Sequence, residues 1–144
     1  MTEACIDPTR SAFEAFKALP RDEPLAMLNL VRFRDRAEYE AGHALAGAGL
    51  TGAEAYANYG RDSAPVFSKV GGSIAWRGDF RCVLIGPEDE AWDEVFVASY
   101  PTASAFLAMV TDPVYREAVI HRQAAVRTSR LIRCKPTETG GAFG

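Results

Sequence analysis

Long hydrophobic runs are missing from this sequence. Its apolar stretches are strand-length, far short of the ~20 residues a membrane-spanning helix needs, so no membrane role is expected. Basic clusters are missing too. The net charge is −3 and no run of lysine or arginine occurs, so nothing attracts a phosphate backbone and no nucleic-acid partner is expected. Cysteine is scarce. Cys5, Cys82 and Cys134 are odd in number, widely spaced and without C-x-x-C, which argues against a disulfide framework or zinc site and for reduced thiols in a cytoplasmic protein. Two histidines, His43 and His121, are too few for a histidine-rich site, and no spacing supports a carboxylate-rich one, so no metal is expected. No glycine-rich phosphate loop appears, and Ser63, Ser99 and Ser104 lack a G-x-S-x-G context. A serine hydrolase is therefore disfavoured and no cofactor is expected. Met1 to Asp7 holds neither a basic nor an apolar region, so no secretory leader is expected. Lysine is rare, 3 against 13 arginines, but alanine and glycine are also abundant. Compositional bias accounts for most of that excess, and function is sought only at arginines in apolar settings.

What is present is an ordinary globular balance, 48% hydrophobic and 24% charged, in 144 residues, which predicts a single domain. Asp7-Pro8 predicts the cap and first position of a helix that stops near Leu19, with Ala12, Phe13, Phe16 and Leu19 on one face. Pro24 to Phe33 predicts a strand apolar on both alternating faces, each carrying one polar group, Asn29 or Arg32. Residues 34–50 read as a mobile connection broken by Gly42, Gly47 and Gly49, with a short helix at its start; such connections serve as lids or as insertions without a role. Thr51-Gly52-Ala53-Glu54 is a capping box that opens a helix carrying Tyr56, Tyr59, Ser63 and Phe67. Pro65 should kink that helix or begin a new turn, and Gly71-Gly72 should end it.

Ser73 to Arg77 predicts a second strand, a bulge or turn follows at Gly78-Asp79, and Cys82 to Ile85 resumes extended structure. Val95 to Tyr100 predicts another strand apolar on both faces. Thr102 and Asp112-Pro113 open two helical pieces, and Tyr115, Val119, Arg122 and Val126 form one helical stripe in the second. A last strand is expected over about Arg130 to Lys135, before a glycine-rich, flexible tail at 136–144.

Setting aside an N-terminal helical extension at 1–23, the order over 24–135 is β-α-β-β-α-β. The expected fold is α+β: a ferredoxin-like four-stranded antiparallel sheet with both helices on one face. Strands apolar on both sides leave the open face in need of cover, which predicts a homodimer with two sheets facing each other. Residues 24–135 also resemble the uncharacterised domain-of-unknown-function family 1330, within the dimeric α+β barrel superfamily. The matching stretches are Met27-Leu28-Asn29-Leu30, Ala55-Tyr56-Ala57-Asn58-Tyr59, Lys69-Val70-Gly71-Gly72 and Pro113-Val114-Tyr115-Arg116 leading to Arg122. The N-terminal helix and the 34–50 connection place the chain among the longer members. The resemblance implies a fold and no activity.

Six side chains are candidates for a site. Asn29 could orient a ligand carbonyl or carboxylate, or be satisfied by neighbouring backbone. Arg32 could bind an anion or reach solvent along its aliphatic stem. Arg122 could capture a substrate carboxylate or sit in a structural ion pair. Tyr59 and Tyr115 could orient a substrate or pack with satisfied hydroxyls. His121 is suited to move a proton, or is a surface residue with no identifiable partner. Three functional classes follow. The first is a cofactor-independent enzyme of oxygenase, isomerase or lyase type, acting on a small anionic or aromatic organic substrate. The second is a non-catalytic ligand-binding or stress-related module, and the third is a structural dimer with no ligand. The enzyme class is analogy at the level of fold.

Overall fold

The computed structural model describes residues 4–143. Residues 1–3, part of the segment read as lacking a leader, and Gly144, the end of the expected tail, lie outside the described residues. Helix α1 spans Arg10–Ala18 and is capped by Thr9, whose hydroxyl accepts the Ala12 N–H at 3.1 Å. The cap expected at Asp7 is therefore two residues early. The Asp7 carboxylate instead accepts from Gln123 Nε2 at 3.2 Å.

Strand β1 (Leu25–Phe33) follows, then helix α2 (Gly52–Lys69), which has both halves of the capping box at Thr51 and Glu54. Helix α2 runs unbroken through Pro65. Arg61 and Pro65 lie on its exposed side, so the carbonyl that loses its partner can take one from water. Gly71 ends the helix in the left-handed region, φ +85°.

Strand β2 (Ser73–Gly78) and strand β3 (Glu94–Tyr100) come next, then α3 (Ala103–Thr111), α4 (Pro113–Ala125) and β4 (Val126–Cys134). Thr102 and Asp112 cap α3 and α4 as expected. Two boundaries differ. Val126 ends the helical stripe as the first residue of β4, so that strand begins four residues before Arg130. Cys82 to Ile85 is not a strand, because β2 pairs with β3 up to Gly78↔Val95 and leaves residues 79–93 beyond the end of the sheet.

The sheet order is β2-β3-β1-β4 with every neighbouring pair antiparallel, the ferredoxin-like topology. Leu25, Met27 and Val31 of β1 are buried, so the odd-numbered face of the strand, which includes Asn29, lies under the helices. The even-numbered face carries Leu28, Leu30 and Arg32. Its register makes one apolar row across all four strands, Trp76–Val97–Leu28–Ile132. Trp76 and Ile132 are 55% and 45% exposed, so a single layer of helices leaves that row uncovered. No helix among the described residues is long and apolar enough to cross a membrane.

Helix α2 starts where three backbones meet. Arg34 N–H donates to the Ala125 carbonyl at 2.8 Å, and a Cβ on Gly52 would run into the Arg34 carbonyl and lie 2.9 Å from the Ala125 oxygen. Neither oxygen can yield easily, since both belong to paired backbone. Gly52→Ala should therefore lower stability by about 1–3 kcal/mol. Urea unfolding of the variant at the parental midpoint would show instead that the junction is slack.

Candidate functional site

Helices α2 and α4 run in opposite directions across the sheet. Gly52 lies against Ala125 at one end, and Lys69 Nζ stands 3.6 Å from Asp112 at the other. Between them Tyr59 and Tyr115 meet hydroxyl to hydroxyl at 2.9 Å, rings edge-on at 6.1 Å. Tyr56 packs on Tyr59 at 5.4 Å and Phe33 on Tyr56 at 5.1 Å. Burial raises the ionisation of Tyr56, Tyr59 and Tyr115 above the ordinary phenol value. The shared hydrogen bond couples the two phenols, and burial is the largest cause of the rise in each. The stripe read along α4 thus does face covered structure, and two of the candidates touch.

Arg122 extends from α4 toward the edge of the sheet. Its Nη1 donates to the Ile6 carbonyl at 2.5 Å and its Nη2 to Ser129 Oγ at 3.1 Å. Ser129 Oγ in turn donates to the Cys5 carbonyl at 2.8 Å. Arg122 thus ties residues 5–6 to β4, and its partners are neutral oxygens rather than the protein carboxylate of the structural reading. Asn29 Nδ2 donates to the Met27 carbonyl of its own strand at 3.0 Å. Arg32 projects from the opposite face, with Phe33, Trp92 and Arg127, around a depression of about 230 Å³ at the end of the sheet. Asn29 and Arg32 therefore do not share a site with each other.

A different set of groups is assembled around His121. Its Nε2 lies 3.2 Å from Asp62 Oδ2 and its Nδ1 2.6 Å from the Tyr39 hydroxyl. A carboxylate only accepts, so in the neutral ring the proton sits on Nε2 and Nδ1 accepts from Tyr39. This is a three-part chain, Asp62–His121–Tyr39, with both imidazole nitrogens engaged. Burial raises the Tyr39 phenol, a hydrogen bond from Asn58 lowers it in part, and the Asp62 charge raises it again. Tyr39 therefore stays a phenol and a proton donor near neutral pH.

His43 completes the cluster. Its ring stacks on Tyr39 at 4.6 Å and meets His121 edge-on at 6.0 Å. Leu45 N–H donates to His43 Nδ1 at 3.0 Å, which leaves Nε2–H as the ring's second edge. His43, Asp62, Pro65, Val114, Glu117 and His121 line a depression of about 490 Å³ between α2 and α4. Among the described residues no group of three or more His, Cys, Asp or Glu side chains is placed to hold a metal ion.

The sequence offers His121 as a candidate and gives no direct signal for the partners that it meets here. Asp62 is three residues after Tyr59 on α2, a spacing that the stripe read there could have suggested. Tyr39 and His43 come from the 34–50 connection, which carries no periodic signal. That connection is tied down by Glu38 N–H to the Ala124 carbonyl at 2.9 Å, Ala37 N–H to the Leu50 carbonyl at 2.9 Å and Arg36 Nη1 to the Gly49 carbonyl at 3.0 Å.

Residues 41–133 match the family described as Domain of unknown function (DUF1330). The chain belongs to this family. The DUF1330 match starts within the 34–50 connection, so β1 and Tyr39, both inside the 24–135 span read from sequence, precede it. The crystal structure of a protein of unknown function from Rhodopseudomonas palustris is similar to this DUF1330 chain at 55% identity. It covers 95% of this chain and 100% of that one, with a TM-score of 0.87. The methylated form of that protein matches at 55% identity over 97% and 100% of the two chains, with a TM-score of 0.89. SnoaB, a cofactor-independent oxygenase from Streptomyces nogalater, is 17% identical over 81% and 96%, with a TM-score of 0.46. No curated protein matches this chain in sequence.

Proposed function

We propose that this protein binds a small organic molecule in the depression between α2 and α4 and moves a proton on it without a bound cofactor. The observation that carries the reading is the Asp62–His121–Tyr39 chain, at 3.2 and 2.6 Å, whose Asp62 and His121 line that depression and whose Tyr39 joins it through His121 and the stacked ring of His43. In this reading the Tyr39 oxygen takes a proton from an acidic C–H or O–H of the substrate as its own proton passes to His121 Nδ1. Asp62 neutralises the imidazolium that results. The reverse transfer returns the proton to the same atom or another. His43 Nε2–H is the group suited to polarise a substrate carbonyl, and Arg61, beside Asp62, the group suited to attract an anionic one. Proton abstraction opens isomerase, lyase and cofactor-independent oxygenase reactions alike, and general acid–base help of this kind is worth roughly 10²–10⁴-fold.

The reading places Tyr59, Tyr115 and Arg122 in support of the helix layer and Arg32 away from the reaction. It also takes the protein to be a homodimer that buries the Trp76–Val97–Leu28–Ile132 rows of two copies against each other in an α+β barrel. A cytoplasmic setting suits it, where thiols such as Cys82 and Cys134 stay reduced.

The test starts from mass spectrometry of gently purified protein, to identify what it carries. Ligand-like keto acids and phenols are then incubated in deuterium oxide, and washout of C–H signals is followed by NMR. Enzyme-dependent washout that drops at least 100-fold in Tyr39→Phe and His121→Gln is expected. Tight binding with no washout and no product would assign the same pocket to a non-catalytic module instead.

A further inference from the structure

The connection from β2 to β3, residues 79–93, is far longer than the roughly 2–5 residues that join hairpin strands. Its far end is anchored. Trp92 is buried with the Arg130 guanidinium over its ring at 5.8 Å. Asp93 N–H donates to the Val31 carbonyl at 2.7 Å, and Asp93 Oδ2 accepts the Phe33 N–H at 2.7 Å. Between the anchors the hydrogen bonds are local, as from Glu90 N–H to the Pro87 carbonyl. At the tip, two adjacent apolar side chains, Leu84 and Ile85, are 90% and 93% exposed. Glu88, Asp89 and Glu90 follow, and none forms an ion pair among the described residues.

The open face of the sheet carries the complementary features. Its apolar row Trp76–Val97–Leu28–Ile132 has no cover. At the end of the sheet where the arm emerges, Arg32 forms no ion pair among the described residues. Arg130 lies on the same face, paired in register with Leu30, and its Nη1 donates to the Ser129 carbonyl at 2.8 Å rather than to a carboxylate. One chain thus holds an apolar, acidic tip at 84–90 that its own sheet does not use, and an apolar face whose two arginines meet the base of the same connection at Ala91 and Trp92 but pair with no carboxylate among the described residues.

We propose that residues 79–91 form an exchanged arm. Each copy of this chain lays Leu84 and Ile85 against the Ile132 end of the other copy's apolar row, at the rim of the row-on-row contact, and sets Glu88, Asp89 and Glu90 against the other's Arg32 and Arg130. The occupant is a second copy because reciprocal exchange satisfies both mismatches at once and closes under two-fold symmetry. Arm and arginines sit at the same end of the sheet, so the dyad runs along the strands and brings like ends together. This inference rests on the homodimer reading above and adds to it which segment holds the dimer.

Analytical ultracentrifugation across a concentration series tests it. The parent should be dimeric, and Leu84→Ala with Ile85→Ala should raise the dissociation constant by roughly 100-fold, since two buried anchors are lost from each of two copies. Arg32→Glu should weaken the dimer, and so should Glu88→Lys, Asp89→Lys and Glu90→Lys together. Combining the two charge reversals should restore affinity. Leu84, Ile85, Glu88 and Asp89 are exposed in the single chain and Glu90 is half-buried, so circular dichroism should stay parental. A parent that is monomeric at every concentration would remove the homodimer reading and the arm with it. A dimeric parent that Leu28→Glu dissociates, but the arm variants and Arg32→Glu leave unchanged, would keep the homodimer and overturn the exchanged arm.

Discussion

Raising the pH should unfold this protein cooperatively soon after it passes about 10, with almost no phenolate appearing before the transition. All five tyrosines, Tyr39, Tyr56, Tyr59, Tyr100 and Tyr115, ionise above the ordinary value of 10.0 in the fold, burial being the largest cause for each. The fold therefore favours the neutral phenols. The stability they contribute is fully present below the unfolded value and is lost as pH rises through the folded ones. One pH unit past 10, each strongly raised tyrosine withdraws about 1.4 kcal/mol. Tyr56, Tyr100 and Tyr115 together withdraw about 4 kcal/mol and Tyr59 acts in the same direction, against a whole stability of about 5–15 kcal/mol for an ordinary domain. Tyr39, at the rim of the helix layer, should be the first to ionise if any does. Following phenolate absorbance and circular dichroism together checks this. A gradual, reversible rise in phenolate with native dichroism would mean that the ring cluster admits water.

Arg122→Ala should cost about 2–4 kcal/mol, since the guanidinium makes charge-assisted bonds to the Ile6 carbonyl and to Ser129 Oγ that hold residues 5–6 on β4. Ser129 N–H and Oγ both donate to the Cys5 carbonyl, so loosening one contact exposes the others. Arg122→Lys keeps the charge but cannot reach both oxygens with a planar fork, and should fall between parent and alanine. Thermal unfolding, with hydrogen exchange at Ser129, gives the measurement. Unchanged stability in Arg122→Ala, with loss of affinity for an anionic ligand, would make this arginine a ligand clamp rather than a tie.

The fold was legible because its strands carry strong signals. Leu25 to Phe33 and Val95 to Tyr100 are apolar at consecutive positions, and the Thr51 and Asp112 caps fix where α2 and α4 begin. Less legible were places where a tertiary contact overrides the local signal. Asp7 looks like a cap but binds Gln123. Cys82 to Ile85 looks like a strand, yet no neighbouring strand is in register to receive it. The site was half legible for the same reason. Tyr59 on α2 and Tyr115 on α4 lie in readable helical stripes and His121 stands one residue from the second, whereas Tyr39 and His43 reach their places through a connection whose path no periodicity encodes. The readings left open for Arg122 and Asn29 turned on partners 116 residues away for the one and two for the other, and only coordinates supply the first.

In the proposed mechanism Asp62 and Tyr39 hold His121 in one tautomer, ready to take the Tyr39 proton. The most direct measurement is the proton–nitrogen NMR correlation of the imidazole rings in the neutral protein, assigned with His43→Gln because the chain has two histidines. The account predicts that the neutral His121 ring carries its proton on Nε2. Its Nδ1 resonance should then shift when Tyr39→Phe removes the hydroxyl, and the tautomer should become mixed in Asp62→Asn. A His121 ring protonated on Nδ1, or a spectrum indifferent to Tyr39→Phe, would contradict it.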